Sequence, residues 1–352
     1  MKLSTPRWWY LRESRIAPVT RLLLTPLSWI WAAATARRIA GGRPFDPGVP
    51  VICVGNLTVG GTGKTPVVHE IARRLEGAVL SRGYGGSLAG PARVDPAQHT
   101  AAEVGDEPRM LAGDGLAVWV ARDRAAGARA AAEAGAPVIV MDDGHQNPDV
   151  AKTLSLVVVD GETRDDEWPF GDGRVFPAGP LREPLARGLA RADAAIVLLP
   201  ADLDEADPEL LAALAAVPVL IARLTPTAPP PPGPQVGFAG VGKPWKVERA
   251  LRAAGCELAD FWPFPDHRAY DEALLQQLAD RARQFNAGLV TTEKDWARLP
   301  AAWRARVVAW PVRAVFEDEA ALEVVLAGAN PRLTPPTPGP AASAPRPSPQ
   351  DG

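Results

Sequence analysis

The chain has 352 residues, enough for two domains of ordinary size that each bury a core. A net charge of -3 with 22% charged residues describes a globular protein and gives no support for a nucleic-acid-binding surface, which needs a basic excess. The only cysteines, Cys53 and Cys256, show no CxxC spacing, which argues against a disulfide framework or structural zinc site and fits a reducing cytoplasm.

The first 43 residues stand apart, with Lys2, Arg7, Arg12, Arg15, Arg21, Arg37, Arg38 and Arg43 against a single acid, Glu13, and with Trp8, Trp9, Trp29 and Trp31 among them. Residues 16–36 are mostly apolar, but Arg21 lies inside the run and Pro18 and Pro26 interrupt it, a poor match to a spanning helix of about 20 apolar residues. The run ends in Arg37-Arg38 and not in a small-residue cleavage site, which argues against a signal peptide. The reading is an interfacial helix with tryptophans at the headgroup level and arginines on anionic lipid. A helix docked on the protein's own core is the alternative, because it leaves the same stripe.

From Pro50 onward, short apolar runs alternate with helix-like stretches: Val51-Ile-Cys-Val54, Ala78-Val-Leu80, Ala117-Val-Trp-Val120, Val138-Ile-Val-Met141, then 154–159, 194–199 and 217–221. Runs that are apolar throughout belong to strands covered on both faces. The fold class is therefore α/β, a P-loop NTPase-like, mainly parallel sheet with helices on both faces, over residues 44–224. Thr225-Pro-Thr-Ala-Pro-Pro-Pro-Pro-Gly-Pro234 cannot continue a helix or a central strand and reads as a stiff linker. A smaller C-terminal α/β domain over 235–330 follows, with strands at 236–239 and 288–291 and helices at 245–254 and 273–283. The tail, 331–352, is Pro, Ala and Ser with few apolar side chains and is expected to be disordered.

The first strand runs into Gly55-Asn-Leu-Thr-Val-Gly60-Gly-Thr-Gly63-Lys64-Thr65, followed by a helix-like stretch. In that order, the backbone N–H groups of Gly60, Gly61, Thr62 and Gly63 form an anion cradle at a helix N-terminus. Lys64 can reach the β- and γ-phosphates of ATP, and the Thr65 hydroxyl can ligate Mg²⁺. Thr58 stands where the usual pattern has glycine. Val138-Ile-Val-Met-Asp142-Asp143 ends an apolar strand in acids, as a Walker B segment does: one acid faces the metal, the other the acceptor side or a supporting hydrogen bond, unless either caps the turn at Gly144.

Transfer of a phosphoryl group to an alcohol also needs a base at the attacking hydroxyl and cations for the developing charge. Asp106, in Gly105-Asp-Glu-Pro108, is either such a base or an acid favoured by a helix dipole. Arg182-Glu183 closes a long Gly/Pro-rich loop that starts at Gly171, a length that usually carries function. His267 follows the linker, where it either closes onto the site or is structural.

These residues form part of an ordered series along the chain. It includes Val54-Gly-Asn-Leu-Thr-Val-Gly-Gly-Thr-Gly-Lys-Thr-Pro66, Leu80-Ser-Arg-Gly-Tyr-Gly-Gly86, Val104-Gly-Asp-Glu-Pro108, Met141-Asp-Asp-Gly-His-Gln146, Phe176-Pro-Ala-Gly-Pro-Leu-Arg-Glu183, Phe264-Pro-Asp-His267 and Thr291-Thr-Glu-Lys-Asp295. The series resembles the tetraacyldisaccharide 4′-kinase family of lipid A biosynthesis, whose loop has Ser or Thr at the position of Thr58.

The resemblance implies ATP- and Mg²⁺-dependent phosphorylation of the 4′-hydroxyl of a lipid-linked disaccharide 1-phosphate. It places the protein peripherally or monotopically on the cytoplasmic leaflet of the inner membrane, where the acylated substrate resides, with no obligate protein partner and no nucleic acid. Lys64 and Thr65 would meet the phosphates and Mg²⁺, with Asp142 and Asp143 at the metal. Asp106 would be the base, assisted by His267. Arg82 and Tyr84 would line the site, and Arg182 and Glu183 would contact substrate or nucleotide. The Thr291–Asp295 segment either orients the second domain or is a helix cap by Thr292 with Asp295. Two departures stand out: His145 where phenylalanine is common, and Lys243-Pro-Trp-Lys in place of an Asn-Pro turn. The competing readings are a membrane-associated P-loop ATPase or GTPase switch and a kinase for a small soluble acceptor.

Overall fold

The computed structural model describes residues 6–12 and 18–328; the expected disordered tail and the start of the apolar run lie outside them. The apolar runs become strands: β1 (Val51–Gly55), β2 (Ala78–Ser81), β3 (Ala92–Arg93), β4 (Val118–Val120), β5 (Ile139–Asp142), β6 (Leu154–Asp160), β7 (Ala194–Pro200) and β8 (Val219–Pro226). A second group follows, β9 (Gln235–Ala239), β10 (Leu258–Pro263), β11 (Gly288–Thr292) and β12 (Val308–Trp310), and then β13 (Val312–Phe316).

One nine-stranded sheet has the order β13-β8-β7-β6-β1-β5-β2-β4-β3. It is parallel except at its edges, where β3 opposes β4 and β13 opposes β8. β1, β5 and β6 are buried along their whole length, as their unbroken apolar sequences require. β1 lies between β5 and β6; the chain leaves β1 for β2 on one side and later crosses from β5 to β6 on the other, and this change of direction opens a crevice at the carboxyl end of β1. Helix α1 (Pro18–Ala40) precedes the sheet, and α2 (Lys64–Arg74) leaves that crevice with Val67, Val68, Ile71 and Ala72 packed inward.

Two boundaries differ from the sequence reading. Thr225 and Pro226 belong to β8 and not to the linker; beyond Leu224 the strand pairs only with β13, an edge position that tolerates proline. The residues from Val312 on leave the smaller domain. β13 pairs with β8, and Phe316, Leu322 and Leu326 share one core with Val67 and Ile71 of α2. The helix Glu319–Ala327 is capped by Asp318, which accepts from Ala321 N at 2.8 Å.

The smaller unit is thus inserted between β8 and β13. Its parallel sheet, β10-β9-β11-β12, buries Phe238, Leu275, Leu278 and Trp303. It faces the carboxyl end of β1 across a cleft of about 1410 Å³ lined by both units. That exceeds the few hundred to about 1,000 Å³ of a site for one small ligand and leaves room for two substrates.

α1 is continuous through Pro26, and Pro18 takes the first helical position, where its missing N–H costs nothing. Its docked side is polar. Arg21 pairs with Asp172 at 2.8 Å, and Ser28 donates to Val175 O (2.7 Å) and accepts from Ala178 N (3.1 Å). Leu22, Leu23, Trp29 and Ile30 point outward, each about two-thirds exposed or more. A helix docked on its own core buries its apolar stripe; this one shows it to solvent. No helix among the described residues is long and apolar enough to cross a membrane.

Candidate active site

The phosphate loop occupies the carboxyl end of β1. Its first half is extended and paired with the 180–182 segment: Val59 N donates to Pro180 O (2.8 Å) and Arg182 N to Leu57 O (2.8 Å), with a bridge between Thr58 and Leu181. Extended backbone suits a β-branched residue, which is why Thr58 is accommodated where glycine is usual. Gly63 caps α2 with φ +77°, and a Cβ there would lie 2.6 Å from Leu198 Cδ2, so only glycine fits. Lys64 and Thr65 then open the helix.

Asp142 ends β5 buried, 3.4 Å from Ser81 Oγ, while Asp143 takes a left-handed φ of +53°. The change of backbone conformation separates the two acids, as a shared strand could not. Burial, with Asp143 beside it, pushes the Asp142 carboxyl up to about 6 against the pull of Lys64. Desolvation also opposes Asp143, but Lys64 (3.5 Å) and Arg182 (2.8 Å) outweigh it and hold that carboxyl well below the usual range.

Behind the cleft wall formed by Glu107 and His267, Asp106, which does not itself line the cleft, opens the helix Asp106–Gly113 after Gly105, whose φ of +96° and close approach to Tyr84 O (2.9 Å from a Cβ) require glycine. Asp106 Oδ2 accepts from His267 Nδ1 and from Arg298 Nε, each at 2.7 Å. Burial raises the Asp106 carboxyl, but the His267 hydrogen bond and the Arg298 and Lys294 charges overcome it and keep it below the ordinary carboxylate range. Arg298 is held in turn by the fully buried Asp295 (2.9 Å), which also accepts from Tyr270 Oη (2.8 Å) and Gly240 N (3.1 Å). Thr292 caps the helix Glu293–Arg298 through Asp295 N at 3.1 Å, and Lys294 crosses to Glu107 at 2.6 Å. The Thr291–Asp295 segment therefore both caps a helix and ties the two units together.

Gly60 to Thr65, Arg82, Tyr84, Asp142, Asp143, Arg182 and His267 all line the one cleft, and the Tyr84 ring lies 5.3 Å from that of His267. Glu183 does not reach it. It is buried and accepts from Arg191 (2.6 Å) and Gln146 (3.0 Å). Sequence reasoning missed Arg298 and Tyr270. Arg298 lies one helical turn after Asp295, a spacing that pairs opposite charges and was legible; Tyr270 carries no comparable signal.

His145 is packed beneath the site, with Nδ1 2.9 Å from Ser155 Oγ and Nε2 2.9 Å from Gly188 O. Burial and the nearby Arg191 charge push its pKa down to about 4. Since the unfolded chain binds this proton first, stability falls as pH drops from 6.5 toward 4, by about 2 kcal/mol between pH 7 and pH 5. His145→Phe is expected to remove most of that slope in urea melts at the two pH values, whatever it does to stability at pH 7. An unchanged slope would place the acid sensitivity elsewhere.

A cleft with a phosphate loop at one wall and, at another, a histidine paired with an acid suits transfer of a phosphoryl group to an alcohol, and with this sheet it defines a P-loop phosphotransferase. The comparisons narrow the class. The family model described as tetraacyldisaccharide-1-P 4′-kinase matches residues 20–330, and the chain belongs to that family. It is 75% identical over 328 residues to the tetraacyldisaccharide 4′-kinase of Phenylobacterium zucineum, covering 93% of this chain and 100% of the relative. To that of Caulobacter vibrioides it is 66% identical, covering 93% and 99%. The fold is similar to a crystal structure of LpxK from Aquifex aeolicus in complex with ATP, with a TM-score of 0.66 and 24% identity over 89% of this chain and 99% of that one.

Proposed function

We propose that this protein transfers the γ-phosphoryl group of ATP to the 4′-hydroxyl of tetraacyldisaccharide 1-phosphate. The observation that carries the reading is His267, which lines the same cleft as Lys64 and is paired with Asp106 at 2.7 Å. A nucleotide switch has no use for such a pair. The loop N–H groups and Lys64 hold the β- and γ-phosphates, and Arg182 stands beside them through Asp143. Both bonds to Asp106 fall on Oδ2, which leaves Oδ1 to take the hydroxyl proton as the acceptor oxygen bonds to phosphorus and ADP leaves. A depressed carboxyl is a weak base, but a loose transition state asks for little proton transfer before the phosphoryl group moves.

The Thr65 hydroxyl, Asp142 and Asp143 are an all-oxygen donor set, and the buried, up-shifted Asp142 is an acid that a cation would favour in its ionised form; the set fits Mg²⁺. Mg²⁺ there supplies charge neutralisation on the phosphate oxygens. The exposed apolar side of α1 docks on the cytoplasmic leaflet of the inner membrane, and Trp31, Thr35 and Arg38 of the same helix line the cleft. An acylated sugar can thus remain in the lipid while its hydroxyl reaches Asp106.

Purified protein with Mg-ATP and tetraacyldisaccharide 1-phosphate in mixed micelles is expected to yield the 4′-phosphate and one ADP per product. ATP hydrolysis independent of acceptor and driven by vesicles alone would favour the switch instead. Bound ATP with no phosphorylated product would end the proposal.

A further inference from the structure

We propose that Tyr10, far from the loop in sequence, is a positioning residue for ATP: its hydroxyl holds the Val59 carbonyl of the phosphate loop turned away from the phosphates. The inference rests on the reading of that loop as an ATP site. An anion cradle works only if its N–H groups converge and its carbonyls do not, since an inward carbonyl oxygen repels a phosphate oxygen. The two carbonyls ahead of Gly60 are both taken up by side-chain donors. Thr58 O accepts from Asn56 Nδ2 (2.8 Å) and Arg182 Nε (3.0 Å), and Val59 O accepts from the Tyr10 hydroxyl.

Asn56 and Arg182 belong to the loop and the strand-like segment paired with it, whereas Tyr10 ends the short helix Arg7–Tyr10 and is brought there by the fold. Its own place is firmly set. Trp168 N donates to Tyr10 O at 2.5 Å, Leu11 bridges to Glu167, and Arg12 pairs with Asp207 and Glu209 while its guanidinium lies 4.0 Å from the Trp168 ring. The Tyr10 ring also carries Lys243 Nζ at 5.0 Å, and that lysine is pinned to Asp160 and Glu167 at 2.9 Å each. Beside it, Gly242 packs on the loop so closely that a Cβ would lie 3.2 Å from Gly61 N. Tyr10 therefore sits where the N-terminal segment, the phosphate loop and the inserted domain meet, and it ties the setting of the loop to both neighbours.

Tyr10→Phe removes the hydroxyl and keeps the ring under Lys243. The expected result is a rise of about fivefold in the ATP dissociation constant and in KM for ATP, the effect of one neutral hydrogen bond, with KM for the lipid acceptor unchanged. Trp9→Phe serves as the control, because Trp9 is buried against Phe176 (5.8 Å) in the same segment and, unlike Tyr10, does not line the cleft; it should lower the melting temperature and leave ATP affinity alone. Equal ATP affinity in Tyr10→Phe and wild type, or equal losses of ATP affinity in both variants, would overturn the inference. Wild-type protein that binds no ATP would sink the underlying reading of the site as well.

Discussion

Asp106→Asn should lower kcat by about a hundredfold or more while the ATP dissociation constant stays within about twofold of wild type. The substitution preserves shape and removes charge, so the hydroxyl proton loses its acceptor while the phosphate loop on the facing wall is untouched. It also takes an anion from beside Arg298 and His267, both 2.7 Å from the altered group, leaving Arg298 to Asp295 alone, and some stability is expected to go with it. For that reason His267→Gln belongs in the same experiment: it keeps a hydrogen-bonding side chain beside Asp106 and should depress kcat more than it depresses the melting temperature. Unchanged turnover by a folded Asp106→Asn protein would remove Asp106 from the chemistry and leave the pair as a clasp between domains. The depressed Asp106 carboxyl fixes the pH sign: activity carried by its ionised form should persist through neutral pH and fall only on the acid side of the ordinary carboxylate range.

The second large effect is expected at the outer face of α1. Changing Leu22, Leu23, Trp29 and Ile30 together to glutamine should weaken binding to anionic vesicles by close to a thousandfold. The figure follows from about 1 kcal/mol for each large apolar side chain half immersed in the headgroup region, roughly 4 kcal/mol in all. These side chains project into solvent, so melting temperature and ATP affinity should not move. The polar stripe supplies the opposite control. Arg21→Met breaks the pair with Asp172 and should loosen α1 from the protein without removing its apolar face. Vesicle affinity equal to wild type in the fourfold variant would show that this face docks on something other than lipid.

Much of the fold was legible because burial on both faces leaves no room for polar alternation. The runs at 51–54 and 154–159 declare themselves as central strands, and Gly63 after the first has a geometric reason in its left-handed φ. β13 was harder. Val312-Arg-Ala-Val-Phe316 alternates, as an edge strand does, and nothing local says which of two sheets it joins; Phe316 and Leu322 decide that by packing with residues more than 200 positions earlier in the chain. Glu183, next to Arg182 of the cleft, is buried against Arg191 and Gln146, a placement that long-range packing sets and no local pattern announces. The Asp106–His267 meeting depends on domain placement, which carries no local periodicity. The apolar stripe of α1 was visible, and so was the line of Arg21, Ser28 and Thr35 at intervals of seven, but only packing shows which side faces the protein.

The return of the chain from the inserted domain to β13 gives that domain two attachments, side by side, on neighbouring antiparallel strands. A body hung on one tether can drift and tumble. A body hung on two parallel tethers can swing about the line through them and do little else, like a door on paired hinges. Any opening to admit ATP and the acylated sugar would then be confined to nearly one degree of freedom, and His267 would return to Asp106 along the same arc. Ending the chain before Val312 would cut one hinge and take an edge strand from the larger sheet with it.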